Sequence, residues 1–212
     1  MKVREINARP VFGYLHEPDR ETIAGLVLTH GAGGNCGSAL LVNLAGALAE
    51  LGWAVLRCDL PFRQKGKSRP PSPAQAQADR EGLEAAVQEM RSRVAGQVFL
   101  GGHSYGGRQA SILAAERGNG IPGLLLLSYP LHPPGKPEQR RTAHFSGIQS
   151  PCLFVQGTTD PFASPDEISS AIKLIAVEKQ LVLLDRAGHD LGRGSASVVS
   201  RIRDRFTEFF IV

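Results

Sequence analysis

Val98-Phe99-Leu100-Gly101-Gly102-His103-Ser104-Tyr105-Gly106-Gly107 carries an apolar run directly into a serine flanked by glycines. Gly102, Ser104 and Gly106 satisfy G-x-S-x-G, where an expected strand ends and an expected helix begins. On a sharp strand-to-helix turn the residues two before and two after the serine crowd each other. Only small side chains then leave the strained serine backbone room. Glycine-rich turns between strand and helix also occur for packing alone. The case for Ser104 as a nucleophile therefore depends on the rest of the chain.

On both sides of this stretch, apolar runs of strand length alternate with longer amphipathic segments. Strands are expected at Leu26–Thr29, Trp53–Arg57, Val98–Leu100, Gly123–Ser128, Cys152–Gln156 and Gln180–Leu184. Helices are expected at Ser38–Leu51 (stopped by Gly52), Ala74–Val94, Gly107–Arg117, Pro165–Ala176 and Ser195–Phe210. Pro61–Pro73 reads as a Pro-rich loop, and Tyr129–Ile148, rich in Pro and charge, as a short lid or a surface excursion. Continuously apolar strands are covered on both faces, so the pattern predicts an α/β fold with a mainly parallel sheet between helix layers and no large cap domain. Chemistry in such sheets collects beyond the carboxyl ends of the strands.

The 212 residues suffice for one well-buried core and suggest a single domain over 1–212. A hydrophobic content of 42%, a charged content of 21% and a net charge of +4 are ordinary for a soluble protein, without the dense basic tracts of a nucleic-acid binder. Cys36, Cys58 and Cys152 are odd in number and lack C-x-x-C spacing, which argues against a disulfide framework and against a zinc site. Met1-Lys-Val-Arg-Glu-Ile lacks the apolar region of a signal peptide, and no run approaches the roughly 18 apolar residues of a membrane span. A cytoplasmic protein with no nucleic-acid or membrane partner is expected. Its oligomeric state is not readable from sequence.

Three further loops at strand carboxyl ends hold what an activated serine needs. Gly157-Thr-Thr-Asp160-Pro follows one strand, Asp185-Arg-Ala-Gly188-His189-Asp190 another, and His30-Gly31-Ala32-Gly33-Gly34 a third. The order Ser104, Asp160, His189 is that of the α/β-hydrolase fold. His189 would take the serine proton, Asp160 would fix the imidazole tautomer, and the backbone N–H groups of Ala32 and Tyr105 would meet the oxyanion. Each piece alone has a plainer explanation. Asp160 before Pro161 could shape a turn. The His30 loop could be a tight turn or a phosphate loop, though it lacks G-x-G-x-x-G and G-K-[ST]. Four such loops in fold order favour the catalytic reading.

Among other polar residues, Asp59 is a structural aspartate and the second choice of acid. Asp185 and Asp190 lie too near His189 in sequence, and Cys36 reads as a packed small residue. His103 points to the wrong side of the turn to be the base. His16, His132 and His144 are expected to be solvated. Tyr105 is a candidate for the wall of an acyl pocket. Arg63, Arg108 and His30 are candidate substrate-binding residues; with Lys65, Lys67, Arg69, Arg140 and Arg141 the arginines would favour an anionic substrate if they faced the pocket.

Four segments carry a resemblance that covers the chain from about Leu26 to its end. They are His30-Gly-Ala-Gly-Gly, Leu56-Arg-Cys-Asp59-Leu-Pro-Phe62 with Arg69-Pro-Pro71, Gly101-Gly-His-Ser104-Tyr-Gly-Gly-Arg108, and Phe154-Val-Gln-Gly157-Thr-Thr-Asp160-Pro-Phe162. Tyr129-Pro-Leu-His-Pro-Pro-Gly135-Lys-Pro is similar to bacterial members of the same group. In these segments the chain resembles minimal α/β hydrolases of the dienelactone-hydrolase-like group that includes Tex/KANSL-type proteins. The resemblance implies the fold and a serine-hydrolase site. It departs from true dienelactone hydrolases, whose nucleophile is cysteine where Ser104 stands here. The reading is a hydrolase of carboxylic esters or thioesters of small acyl groups, with a shallow pocket and neither metal nor organic cofactor. The rival is a non-catalytic scaffold that has kept the fold.

Overall fold

The computed structural model describes residues 1–66 and 70–210; Lys67 and Arg69 of the basic run, with the start of Arg69-Pro-Pro71, lie outside the described residues. The chain begins with an antiparallel hairpin, β1 (Lys2–Ala8) and β2 (Val11–Glu17), which the apolar pattern did not announce. The reason is exposure. Only Ile6 of β1 is buried, so this edge strand carries almost no hydrophobic periodicity. The remaining strands are β3 (Ala24–Thr29), β4 (Trp53–Cys58), β5 (Val98–His103), β6 (Leu124–Leu127), β7 (Cys152–Gly157) and β8 (Lys179–Leu184). They form one eight-stranded sheet in the order β1-β2-β4-β3-β5-β6-β7-β8, parallel from β4 to β8.

The helices are α1 (Ala39–Ala49), α2 (Pro61–Gln64), α3 (Ala76–Arg91), α4 (Tyr105–Arg117), α5 (Pro165–Ala171) and α6 (Ala196–Phe210). They cover both faces of the sheet, which is why the central strands are apolar without alternation. On one face Leu83, Val87 and Met90 of α3, Leu113 of α4 and Ile168 of α5 meet Val27, Leu100, Leu126 and Phe154. On the other, Leu41, Leu44 and Leu48 of α1 and Ile202, Phe206 and Phe210 of α6 meet Leu26, Leu28, Phe99 and Leu153. Trp53, Phe99 and Phe206 pack edge to face there, with ring centroids 4.8–6.4 Å apart.

Element boundaries differ from the sequence expectation where local chemistry intervenes. The expected Pro61–Pro73 loop contains α2, begun by Pro61 at a position that needs no N–H donor. A Ser72/Gln75 capping box opens a 3₁₀ turn before α3. Helix α4 starts at Tyr105 rather than Gly107, because its two glycines are chosen for close packing and not as breakers. The expected helix to Ala176 ends at Ala171 and continues as a 3₁₀ turn over Ile172–Leu174.

The segment 129–148 is anchored by burial of Tyr129, Leu131, Phe145 and Ile148. The Tyr129 hydroxyl donates to the Arg141 carbonyl at 2.7 Å, and Tyr129, Phe145 and Phe154 pack ring against ring. Three histidines expected in solvent are buried or half-buried instead. His16 accepts from Arg57 Nε at 2.8 Å, and burial together with that arginine pushes its pKa down to about 4. His132 is 5% exposed, between the Pro133 carbonyl and the Glu167 carboxylate. The His144 ring lies against Ser111 Oγ at 2.8 Å, its pKa pushed down to about 4 by burial and then by Arg108. A neutral imidazole with a partnered nitrogen is readily buried, and a lone histidine in a sequence carries no sign of it.

Among the described residues no helix is long and apolar enough to cross a membrane.

Candidate active site

Ser104 closes β5 and opens α4 with φ 52° and ψ −119°, a region costing about 1–3 kcal/mol for a residue with a side chain. The turn is held from both sides: the Ser104 N–H donates to the Leu127 carbonyl at 2.8 Å, and its own carbonyl accepts from the Arg108 N–H at 2.9 Å. The glycines around it are required by contact. A Cβ at Gly102 would lie 2.8 Å from the Gly106 carbonyl carbon and the Gly107 nitrogen. One at Gly106 would lie 2.5 Å from the His30 carbonyl oxygen. Both obstacles are backbone and cannot rotate away. Gly106→Ala is expected to destabilise the protein by about 1–3 kcal/mol, read as a lower urea midpoint at unchanged m-value. An unshifted midpoint would show that the elbow can relax.

A continuous set of hydrogen bonds leads away from the serine. Ser104 Oγ lies 2.8 Å from His189 Nε2, and His189 Nδ1 lies 2.8 Å from Asp160 Oδ2. Asp160, its side chain fully buried, also accepts from Gln156 Nε2 at 2.8 Å and from the Phe162 N–H at 2.9 Å. Three donors thus converge on the carboxylate and hold it in one orientation. Phe162 lies over the His189 ring, centroids 4.2 Å apart, so that one face of the imidazole is shielded. His103 is not placed as a base. Its Nε2 lies 2.7 Å from the His189 carbonyl, and burial lowers its pKa, so a neutral His103 donates there and steadies the loop carrying His189. Gln156, Phe162 and His103 were not anticipated in these roles. Gln156-x₃-Asp160-x-Phe162 is a trace one could have followed, since all three sit on the same strand end.

The N–H groups of Ala32 and Tyr105 are both left over by the fold. That of Tyr105 belongs to the first turn of α4, where no carbonyl precedes it, and that of Ala32 makes no backbone hydrogen bond among the described residues. Each residue is held by a buried neighbour. Arg63, 8% exposed and stacked over Phe62, donates through Nη2 to the Ala32 carbonyl at 2.6 Å. The fully buried Asp79 accepts from the Tyr105 hydroxyl at 2.7 Å and from the Phe62 N–H at 3.0 Å. The Tyr105 ring packs edge-on against Phe62, 5.7 Å between centroids.

His30 is 1% exposed and has both ring nitrogens committed to backbone, one to the Gly31 carbonyl at 2.8 Å and the other to the Leu60 N–H at 3.2 Å. Burial lowers its pKa, so the ring is neutral with the proton on Nδ1. Asp59 accepts from the Cys36 N–H at 2.6 Å and ties the first loop to the end of β4. Asp185 is paired with Arg186 and Asp190 with Arg193, both at the surface. Burial pushes the thiols of Cys36, Cys58 and Cys152 up to about 12, which makes them poor nucleophiles. Lys65 and Arg140 are exposed, whereas Arg108 and Arg141 are half-buried.

A cavity of about 580 Å³ opens above Ser104 and His189, bordered by Ala32, Leu40, Phe162 and Arg193. Its size is that of sites for small organic molecules. Among the described residues no group of three His, Cys, Asp or Glu side chains is arranged to hold a metal ion. A serine hydroxyl bonded to an imidazole that is held by a carboxylate, beside two free N–H donors, is able to attack a carbonyl.

The chain is similar over nearly its whole length to several solved structures. These include Est1E from Butyrivibrio proteoclasticus with ferulic acid bound (19% identity, TM-score 0.81, covering 99% of this chain and 100% of that one). A dienelactone hydrolase from Anabaena variabilis shares 19% identity at a TM-score of 0.75, with 99% and 97% covered. An α/β serine hydrolase without lid from Xanthomonas campestris shares 18% identity at a TM-score of 0.76, with 100% and 95% covered. At these identities the likeness is one of fold. Residues 22–204 match the family model described as "Alpha/beta hydrolase domain", a span that runs from the turn before β3 into α6 and contains the elbow and both partner loops; the chain belongs to that family.

Proposed function

We propose that this chain is a serine hydrolase that cleaves a carboxylic ester or thioester of a small acyl group through an acyl-enzyme on Ser104. The observation that carries the reading is the unbroken relay Ser104 Oγ–His189–Asp160, with both links at 2.8 Å. In the first half-reaction Ser104 Oγ bonds to the carbonyl carbon while its proton passes to His189 Nε2. The negative oxygen formed is met by the N–H groups of Ala32 and Tyr105, each such donor being worth about 10²–10³ in turnover. Collapse breaks the bond to the leaving oxygen or sulfur, which takes the proton from Nε2. Water then attacks the acyl carbon and gives its proton to His189, and the proton returns to Ser104 as the acid departs. Asp160 stabilises the transient imidazolium throughout without taking the proton.

Est1E was solved with ferulic acid bound, and a dienelactone hydrolase is similar in fold. Both support a small organic ester as substrate, as does the apolar cavity over Ser104. The test is labelling of the intact protein with a fluorophosphonate, followed by tryptic mapping. Modification confined to the peptide Val94–Arg108, through Ser104, is expected. A folded protein that resists the probe would favour the non-catalytic scaffold.

A further inference from the structure

The loop that carries Ala32 lies directly against the nucleophile. A Cβ on Gly31 would come within 3.2 Å of the Ser104 Cβ, and one on Gly106 within 2.5 Å of the His30 carbonyl oxygen. The Ala32 N–H shares a peptide plane with the Gly31 carbonyl, and in a trans peptide the two point in opposite directions. That carbonyl is drawn to one side by two donors, His30 Nδ1 at 2.8 Å and the Gly34 N–H at 3.0 Å. The next peptide is held as well, since the Ala32 carbonyl accepts from Arg63 Nη2 at 2.6 Å. With the peptide planes on both sides of Ala32 fixed, the two dihedrals between them have little freedom left.

Arg63 is itself firmly seated. The turn 60–63 that follows β4 reaches both halves of the site. The Leu60 N–H donates to His30 Nε2 at 3.2 Å and the Phe62 N–H to Asp79 at 3.0 Å. The Phe62 ring lies 5.6 Å from the His30 ring and 5.7 Å from that of Tyr105, centroid to centroid, and the Arg63 guanidinium stacks 5.0 Å from its centre. Arg63 is 8% exposed and is not among the residues that border the cavity over Ser104. Burying a guanidinium is expensive, and water could serve a loop carbonyl as well. A planar fork stacked on a ring gives instead a charged donor of fixed direction, whose hydrogen bond is about twice as strong as a neutral one.

We propose that Arg63 is a positioning residue for the oxyanion hole. By holding the Ala32 carbonyl it keeps the Ala32 N–H aligned on the negative oxygen that forms as Ser104 attacks, and it touches no substrate atom. The expectation that Arg63 binds substrate is thereby replaced by a role exerted through the loop. The catalytic consequence rests on the hydrolase reading; the hold on the loop does not.

Two measurements test this on the intact protein, both well below its Tm. Arg63→Met keeps an apolar stem against Phe62 and removes the donor and the charge, whereas Arg63→Lys keeps a charge without the fork. In the first, kcat/KM for p-nitrophenyl acetate is compared with the Ki of phenylboronic acid. Boron takes the Ser104 Oγ bond, and the negative tetrahedral adduct places an oxygen where the oxyanion lies. Arg63→Met is expected to lose about 10²-fold in kcat/KM, the cost of a misplacement of about 1 Å, and its Ki to rise in step. Arg63→Lys should fall between Met and wild type in both. In the second, amide hydrogen exchange is followed by NMR. The Gly34 N–H is expected to exchange at least about tenfold faster in Arg63→Met, while that of Leu48 within α1 stays as in wild type.

A merely structural arginine would lower the Tm and leave both kcat/KM and the boronate Ki of the folded variant within about twofold of wild type; that result overturns the proposal. A loss of kcat/KM with an unmoved Ki, or with unchanged exchange at Gly34, overturns it equally. Faster exchange at Gly34 in a protein whose wild type neither cleaves the ester nor binds the boronate keeps Arg63 as the brace of the loop and overturns the hydrolase reading. Should Arg63→Met not fold, Arg63→Lys decides alone, and wild-type kcat/KM in it overturns the proposal.

Discussion

Ser104→Ala and His189→Ala are each expected to lower the turnover of p-nitrophenyl acetate by about 10⁴–10⁶-fold, with the double variant little worse than either single one. The equality follows from the relay. Ser104 Oγ is a poor nucleophile unless His189 Nε2, 2.8 Å away, removes its proton, and Nε2 has nothing to deprotonate once the hydroxyl is gone. Neither change should unfold the protein. Among the described residues Ser104 Oγ serves no other hydrogen bond, the turn being held by its backbone N–H and carbonyl, and the His189 side chain is partly exposed. Activity and thermal melting measured on the same preparations check this. Turnover within tenfold of wild type in Ser104→Ala would move the nucleophile elsewhere. The three cysteines are poor replacements, with thiols held at about 12.

Asp160→Asn is expected to cost about 10⁴-fold in turnover while preserving the shape of the site. The carboxylate accepts on both oxygens: Oδ1 from the Phe162 N–H, Oδ2 from Gln156 Nε2 and His189 Nδ1. An amide has one oxygen. With its nitrogen toward His189, the Gln156 amide must turn to offer its otherwise unpartnered Oε1, and the ring must accept on Nδ1 and carry its proton on Nε2, pointing at Ser104, where it is no longer a base. With its nitrogen toward Phe162, two N–H donors oppose each other in a buried place, which costs stability instead. The two orientations are told apart by kcat/KM and Tm together. A variant with near wild-type turnover would remove Asp160 from the relay, and Asp59, engaged by the Cys36 N–H, would then need testing.

The layered sheet was legible because β3, β4, β5, β6 and β7 are buried on both faces, and a two-sided strand reads as an unbroken apolar run. The terminal hairpin was not, since an exposed edge strand such as β1 has no apolar period to read. The same contrast runs through the site. Ser104, Asp160 and His189 stand beside glycines, prolines and strand ends, which are local signals, and the structure places their side chains in contact. His103, Gln156 and Phe162 act through partners that become neighbours only when β5, β7 and the loop after β8 are brought together.

The amino-acid pattern by itself determined the parallel core, the glycine-flanked elbow and the order of Ser104, Asp160 and His189 along the strand ends. Hydrophobic period and steric need are written in adjacent residues. Only the tertiary structure decided what each polar group has for a partner. It buried His16 on Arg57 and His144 on Ser111, committed Arg63 to the loop carrying Ala32, and tied Asp79 to Tyr105. Charge and hydrogen bonding depend on distances of about 3 Å between residues far apart in the chain, and those distances exist only after the sheet has closed its layers around them.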